Sequence, residues 1–228
     1  RRYISCVLNA ENGDETTVCI RPAETVKKVA IAGAGIAGLE AARVAAKRGH
    51  QVTVFEKDDK IGGQIHLAAV PPRKSEILRA VTYYEKILPS LDIELKLNTE
   101  PSAGELNQYD AVLVAAGAHN MELPVPVENS NVVSSWDVLK GAGVTGTCAV
   151  LGGGLVGTET AEYLAAQGCK TVIIEMMDKI AAGESATVMP LITKDFEKHG
   201  VEQHVNTRVK EIRDNVIYAE NTKDHTEM

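Results

Sequence analysis

A glycine-rich turn between two short apolar runs occurs twice in this 228-residue chain, and the duplication restricts the available folds more than any other feature. The first copy is KKVAIAGAGIAGLEAARVAAKRGHQVTVFEK. Its apolar run at Val29–Ala32 leads into Gly33, Gly35 and Gly38, spaced GxGxxG. Ile36 to Arg48 has the spacing of an amphipathic helix, and the apolar run Gln51–Phe55 ends on Glu56. The second copy, TCAVLGGGLVGTETAEYLAAQGCKTVIIEMMDKI, follows 119 residues later without a gap. Gly152, Gly154, Gly157 and Glu175 repeat the glycines and the acid, and 12 of 32 positions agree between Ala30–Ile61 and Ala149–Ile180. Strand, glycine turn, helix, strand and acid in that order describe a dinucleotide-binding βαβ unit.

Each residue type has a physical reason. The first glycine permits the tight turn, the second lets backbone N–H groups approach a pyrophosphate, and the third lets helix and strand pack closely. The diphosphate would sit on the positive end of the helix. A carboxylate at the tip of the second strand would accept hydrogen bonds from ribose hydroxyls. Two such units imply two nucleotides, and that pairing suggests a flavin and a nicotinamide.

The bulk composition narrows the setting. Net charge −7 with only 4% aromatics argues against a nucleic-acid surface, and no apolar run approaches the roughly 20 residues of a membrane span. Cys6, Cys19, Cys148 and Cys169 are scattered, with no CxxC, so a reducing cytoplasm is expected rather than a disulfide scaffold. Cys148 and Cys169, at strand starts, read as buried small hydrophobes. The chain starts at Arg1 rather than Met, which fits a piece of something longer.

Between and beyond the two copies the pattern is mixed. Residues 1–25 read as a linker. Gly62 and Gly63 follow the first acid-bearing strand and could again let backbone meet a ligand. Pro71 and Pro72 break the chain; Ser75 then caps a helix to about Leu88. Ile93–Leu97 and Ala111–Ala115 read as strands, the second ending in the small residues Ala115–Ala118. Leu123–Val133 is extended, Ser134–Lys140 a short helix carrying Trp136 as a packing anchor, and Thr187–His199 a helix. Short strands follow at Val201–Val205, Val209–Ile212 and Val216–Ala219, the last two forming a hairpin at Asp214–Asn215. The polar tail NTKDHTEM has no core-facing pattern.

ISCVLNA at Ile4–Ala10, GAGIAG at Gly33–Gly38, GGQIHLAAVPPRK at Gly62–Lys74, YDAVLVAAGA at Tyr109–Ala118, VVSSWDVLKG at Val132–Gly141 and GGGLVGTETA at Gly152–Ala161 together cover nearly the whole chain. They resemble the C-terminal FAD/NAD(P)-binding region of the old-yellow-enzyme-related iron–sulfur flavoenzymes. That group includes 2,4-dienoyl-CoA reductase, 2-enoate reductase, the bile-acid-inducible NADH:flavin oxidoreductases and trimethylamine dehydrogenase. The resemblance implies an α/β fold of two Rossmann-like dinucleotide-binding domains, three-layer with parallel central sheets, the NAD domain inserted in a truncated FAD domain. On that basis residues 26–120 are the FAD domain and 121–228 the NAD(H) domain.

The same resemblance assigns residues to cofactors. Gly33, Gly35, Ile36, Ala37, Gly38, Glu56, Lys57, Gly63 and Gln64 would hold the ADP half of FAD, with Ala116 and Gly117 near it. Gly152, Gly154, Leu155, Val156, Gly157 and Glu175 would hold NAD(H), with Glu159 approaching the nicotinamide. A carboxylate at Glu175 would repel a 2′-phosphate and so favour NADH. Cys6 resembles the fourth ligand of a 4Fe-4S cluster whose other three cysteines, like the FMN-bearing barrel, belong to the full-length parent. The terminal Gly-Asp segment that completes the FAD domain in the family is likewise outside this sequence.

Hydride transfer between nicotinamide and flavin is cofactor chemistry, to which protein contributes position and electrostatics. That suits a chain with no nucleophile–base pair and no metal-ligand spacing. The histidines are dispersed; His66, nearest the predicted flavin, reads as structural. No cysteine lies between Cys19 and Cys148 to take electrons beside a flavin, so the expected route runs to the cluster and FMN of the parent, for reduction of an enoate, enoyl-CoA or related substrate. Two alternatives stand beside it: a structural domain that only binds ADP, and an NADH oxidase or diaphorase. The expected partners are small-molecule nucleotides and the parent's own barrel.

Overall fold

The computed structural model describes Cys6 and residues 8–228. Of the ISCVLNA stretch, Ile4, Ser5 and Val7 lie outside the described residues. The chain divides into two compact units, one running to Ala69 and resuming at Glu76–Ala118, the other comprising Val70–Ser75 and His119–Met228.

In the first unit, β1 (Lys28–Ala32), α1 (Ile36–Lys47) and β2 (Gln51–Phe55) are followed by α2 (Ile65–Ala68), α3 (Arg79–Ile87), β3 (Ile93–Lys96), α4 (Ala103–Leu106) and β4 (Ala111–Val114). The strands form one parallel sheet in the order β3-β2-β1-β4. Ile31, Leu39, Ala42, Val52, Val54, Ile61, Val81 and Tyr84 interlock α1 and α3 on this sheet as one core. Burying each of the larger apolar side chains contributes about 1.5–3 kcal/mol. Residues 8–25 contribute turns rather than regular elements. Glu11 nonetheless pairs with Arg43 of α1 at 2.9 Å, which ties that segment to this unit.

The second unit contains β5 (Val127–Glu128), α5 (Ser135–Leu139), β6 (Thr147–Leu151), α6 (Leu155–Ala166), β7 (Lys170–Ile174), α7 (Met189–His199), β8 (Glu202–His204), β9 (Thr207–Arg213) and β10 (Val216–Asn221). β6, β7 and β8 form a parallel sheet, and β10-β9-β5 a second, mixed one. Ala161, Ile173, Ile192 and Phe196 join α6, α7 and β7 in one core cluster, while Val138, Leu164 and Cys169 form another. The parallel α/β architecture expected from the sequence is the one observed.

The repeat is a repeat of structure. Lys28 pairs with Gln51 and Thr147 with Lys170, so strand bounds, helix bounds and register all recur at the same 119-residue offset. Departures from the sequence expectation lie at element ends and in two short helices, α2 and α4, that no periodicity announced. Ser75–Leu78 is a 3₁₀ turn before α3 begins at Arg79, the tighter winding common at helix starts. The helix expected from Thr187 begins at Met189, with Pro190 in its first turn. The tail returns to the hairpin: Met228 and Ala219 exchange backbone hydrogen bonds of 2.8 and 2.9 Å. Main-chain pairing needs no apolar pattern, which is why the tail's sequence did not announce it.

Candidate nucleotide-binding sites

The two glycine turns are built alike. Gly33 has φ +107° and Gly152 φ +92°, a region L side chains avoid. A Cβ on Gly38 would lie 1.9 Å from the Gly33 carbonyl oxygen, and one on Gly157 would lie 1.9 Å from that of Gly152. These third glycines therefore serve close packing of helix on turn. Gly35 and Gly154 differ in kind, since a Cβ there would meet nothing within 4 Å. Space is left where a ligand would need it.

Gly35 and Gly154 are also the N-caps of α1 and α6, with φ −68° and −65°, and neither helix has a side-chain cap or an acid in its first turn. By contrast α4 and α5 are capped by Ser102 and Ser134, whose hydroxyls accept from the Glu105 and Asp137 N–H groups. Uncapped first-turn N–H groups on a positive helix end form an anion site. In the second unit Gly152, Gly154, Leu155 and Val156 are exposed; in the first, Ala37 is exposed while Gly35 and Ile36 are half-buried.

The acids at the strand tips brace the turns from within. Glu56 is 6% exposed; one oxygen accepts from the Ala34 N–H at 2.7 Å and the other from Asp58 N–H at 3.0 Å. Glu175 is 8% exposed and accepts from Gly153 N–H and Met177 N–H, both at 2.7 Å. A carboxylate oxygen has two lone pairs, so these bonds leave capacity for ribose hydroxyls. The spacing of the motif did not foretell this bracing role. Lys57, next to Glu56, is exposed.

The turns after the acids are related but not identical. Gly62 N–H bonds the Ala34 carbonyl at 2.8 Å, and Ala181 N–H bonds the Gly153 carbonyl at 2.6 Å. In the first unit Gly63 packs directly on the glycine turn: its Cβ would come 3.1 Å from Gly35 Cα. Gln64 then reaches the Ala118 carbonyl at 3.3 Å, which brings the Gly62–Gly63 loop to the end of β4. Ala116 and Gly117 are exposed there, and Gly117 has φ +79°. His66 points its Nε2 at the Ile61 carbonyl, 2.8 Å away, a structural contact. The second unit has Ala181 and Ala182 in place of the glycine pair.

Glu159, one turn into α6, is paired with Lys74, and Arg73 is paired with Glu162 of α6 and Asp195 of α7. Burial pushes the Glu162 carboxyl above its usual range, with the Arg73 guanidinium opposing that shift. Neither basic residue was singled out by motif spacing. Burial also raises the Cys169 thiol, which donates to the Val144 carbonyl at 3.3 Å. Among the described residues no group of three or more His, Cys, Asp or Glu could hold a metal ion, and Cys6 is exposed. No helix among them is long and apolar enough to cross a membrane.

Two glycine-turn cradles, each at the strand end of a parallel sheet, define a Rossmann-like fold of the flavoprotein type. The chain belongs to the pyridine nucleotide-disulphide oxidoreductase family, whose profile matches residues 27–228. It is 45% identical over 229 residues to bilirubin reductase of Mediterraneibacter gnavus, covering 98% of this chain and 35% of that protein. Cinnamate reductase of Clostridium sporogenes is 41% identical over 180 residues, 78% of this chain and 27% of the relative. The structure of 2-naphthoyl-CoA reductase matches with TM-score 0.86 at 28% identity, over 98% of this chain and 34% of that one. The chain thus spans about a third of the length of these relatives. That family is one of oxidoreductases, and FAD and NAD(P)H suit the two cradles.

Proposed function

We propose that this chain is the nucleotide-binding part of an NADH:flavin oxidoreductase, with FAD in the first cradle and NADH in the second. The observation that carries the reading is the paired arrangement of an uncapped glycine helix end and a buried glutamate brace. In the first unit Gly33, Gly35, Gly38, Glu56, Gly63 and Gln64 would seat the ADP half of FAD. In the second, Gly152, Gly154, Gly157 and Glu175 would seat NADH, the Glu175 carboxylate disfavouring a 2′-phosphate. When bound, FAD accepts a hydride and can release electrons singly, the chemistry needed to feed an iron–sulfur cluster and an FMN. Those centres would belong to the full-length cytoplasmic protein, with Cys6 supplying one cluster ligand. Residues 26–120 and 121–228 would then be the FAD and NAD(H) domains.

The names of the relatives favour reduction of an unsaturated substrate, of enoate or enoyl-CoA type, by that larger protein. Anaerobic addition of NADH to the full-length, FAD-loaded protein tests the reading. Bleaching of the flavin band, followed by turnover of cinnamate or a similar enoate, is expected. An unbleached flavin would leave only a structural nucleotide-binding domain, and oxygen consumption without enoate turnover would make the protein an oxidase.

A further inference from the structure

α1 and α6 correspond position for position, and that correspondence exposes a difference in charge. Glu40 of α1 corresponds to Glu159 of α6, but Arg43 of α1 corresponds to Glu162. In α1 the acid and the base satisfy each other: Arg43 Nε and one terminal nitrogen each donate to Glu40 at 2.7 Å. α6 has no Lys or Arg of its own, so it carries two carboxylates one turn apart, an arrangement that disfavours a helix. Its cations come from residues 70–75. Lys74 takes Glu159, and Arg73 spans Glu162 and Asp195. The Glu162 side chain is only 6% exposed, so it depends on that guanidinium. Pro71 and Pro72 restrict this strap, and Arg73 takes φ +65°. Although its chain neighbours belong to the first unit, the strap itself groups with the second.

We propose that Arg73 is a positioning residue for the nicotinamide end of the second site. By clamping the strap across α6 and α7, it holds Lys74 on Glu159, beside the cradle that α6 opens. The ADP end rests on the Gly152–Gly154 turn and Glu175, whose hydrogen bonds involve no strap residue. Arg73 therefore acts on one half of the dinucleotide. This rests on the reading that the second cradle takes NAD(H).

Calorimetric titration of the oxidised full-length protein with NAD⁺ and separately with ADP-ribose, which lacks nicotinamide, tests it without turnover. R73Q is expected to weaken NAD⁺ about tenfold and ADP-ribose less than about twofold, and R73K to recover part of the loss, since lysine keeps the charge but not the fork. Because R73Q strands a buried carboxylate, R73Q/E162Q is measured beside it; its melting temperature should return toward wild type while the NAD⁺ defect persists. Equal losses for both ligands, or NAD⁺ affinity restored by E162Q, would overturn the assignment. A wild-type protein that binds neither ligand would instead sink the NAD(H) reading, and the proposal with it.

Discussion

Arg43 and Glu162 occupy the same position of a structural repeat with opposite charge, so α1 completes its own ion pair while α6 takes its cations from a distant strap. Copying the α1 arrangement into α6 should make the strap dispensable for stability. E162R alone places two guanidiniums together and should cost about 1–3 kcal/mol. E162R/R73Q, which lets Glu159 pair with the introduced arginine inside α6, should recover most of it. Urea unfolding of the three proteins measures this, and no recovery in the double variant would contradict the equivalence.

The glycines divide into two types, those where a Cβ would strike backbone and those where it would meet open space. G38A or G157A forces a Cβ to 1.9 Å from a backbone oxygen and should destabilise its unit by about 1–3 kcal/mol or prevent folding. G35A and G154A meet no atom within 4 Å and have negative φ, so folding should be nearly unchanged. They should instead lower FAD retention and NAD⁺ affinity respectively. Melting temperature and bound-flavin absorbance separate the two types.

Glu175 braces the second glycine turn before any ligand arrives. E175A leaves the Gly153 and Met177 N–H groups without their 2.7 Å acceptor. The cost should be about 1–3 kcal/mol before any nucleotide is added. The same variant should narrow the preference for NADH over NADPH, read from the ratio of binding constants. A variant as stable as wild type would refute the bracing role.

Glu40 gives the first unit a defined acid sensitivity. Burial pushes its carboxyl upward, but hydrogen bonds from Arg43 and Tyr84 outweigh burial and hold it below its ordinary value. Tyr84 is correspondingly raised, by its own burial and by donating to Glu40 at 2.9 Å. A depressed folded-state value means the stabilisation is complete above the unfolded value of about 4.3 and is lost as pH falls through the lower folded one. Melting temperature of the wild type should therefore drop more steeply than that of E40Q below about pH 4.3. Parallel curves would show that Glu40 carries no such linkage.

Sequence alone determined the two βαβ units, because glycine spacing, apolar runs and the distal acid are all local and recur at one offset. The bounds of α1 followed from the same short-range pattern to within one residue. The turn residues Asp214 and Asn215 announced the β9–β10 hairpin for the same reason. Tertiary structure decided what lies between distant positions. The bracing role of Glu56 and Glu175 needs a strand tip brought within 2.7 Å of a glycine-turn N–H 22 residues away. The cations of α6 and α7 come from 85 to 122 residues away, and no periodicity records which acid a lysine or arginine will meet. Local motifs write backbone shape into sequence, whereas charge pairing across elements exists only once the chain has folded.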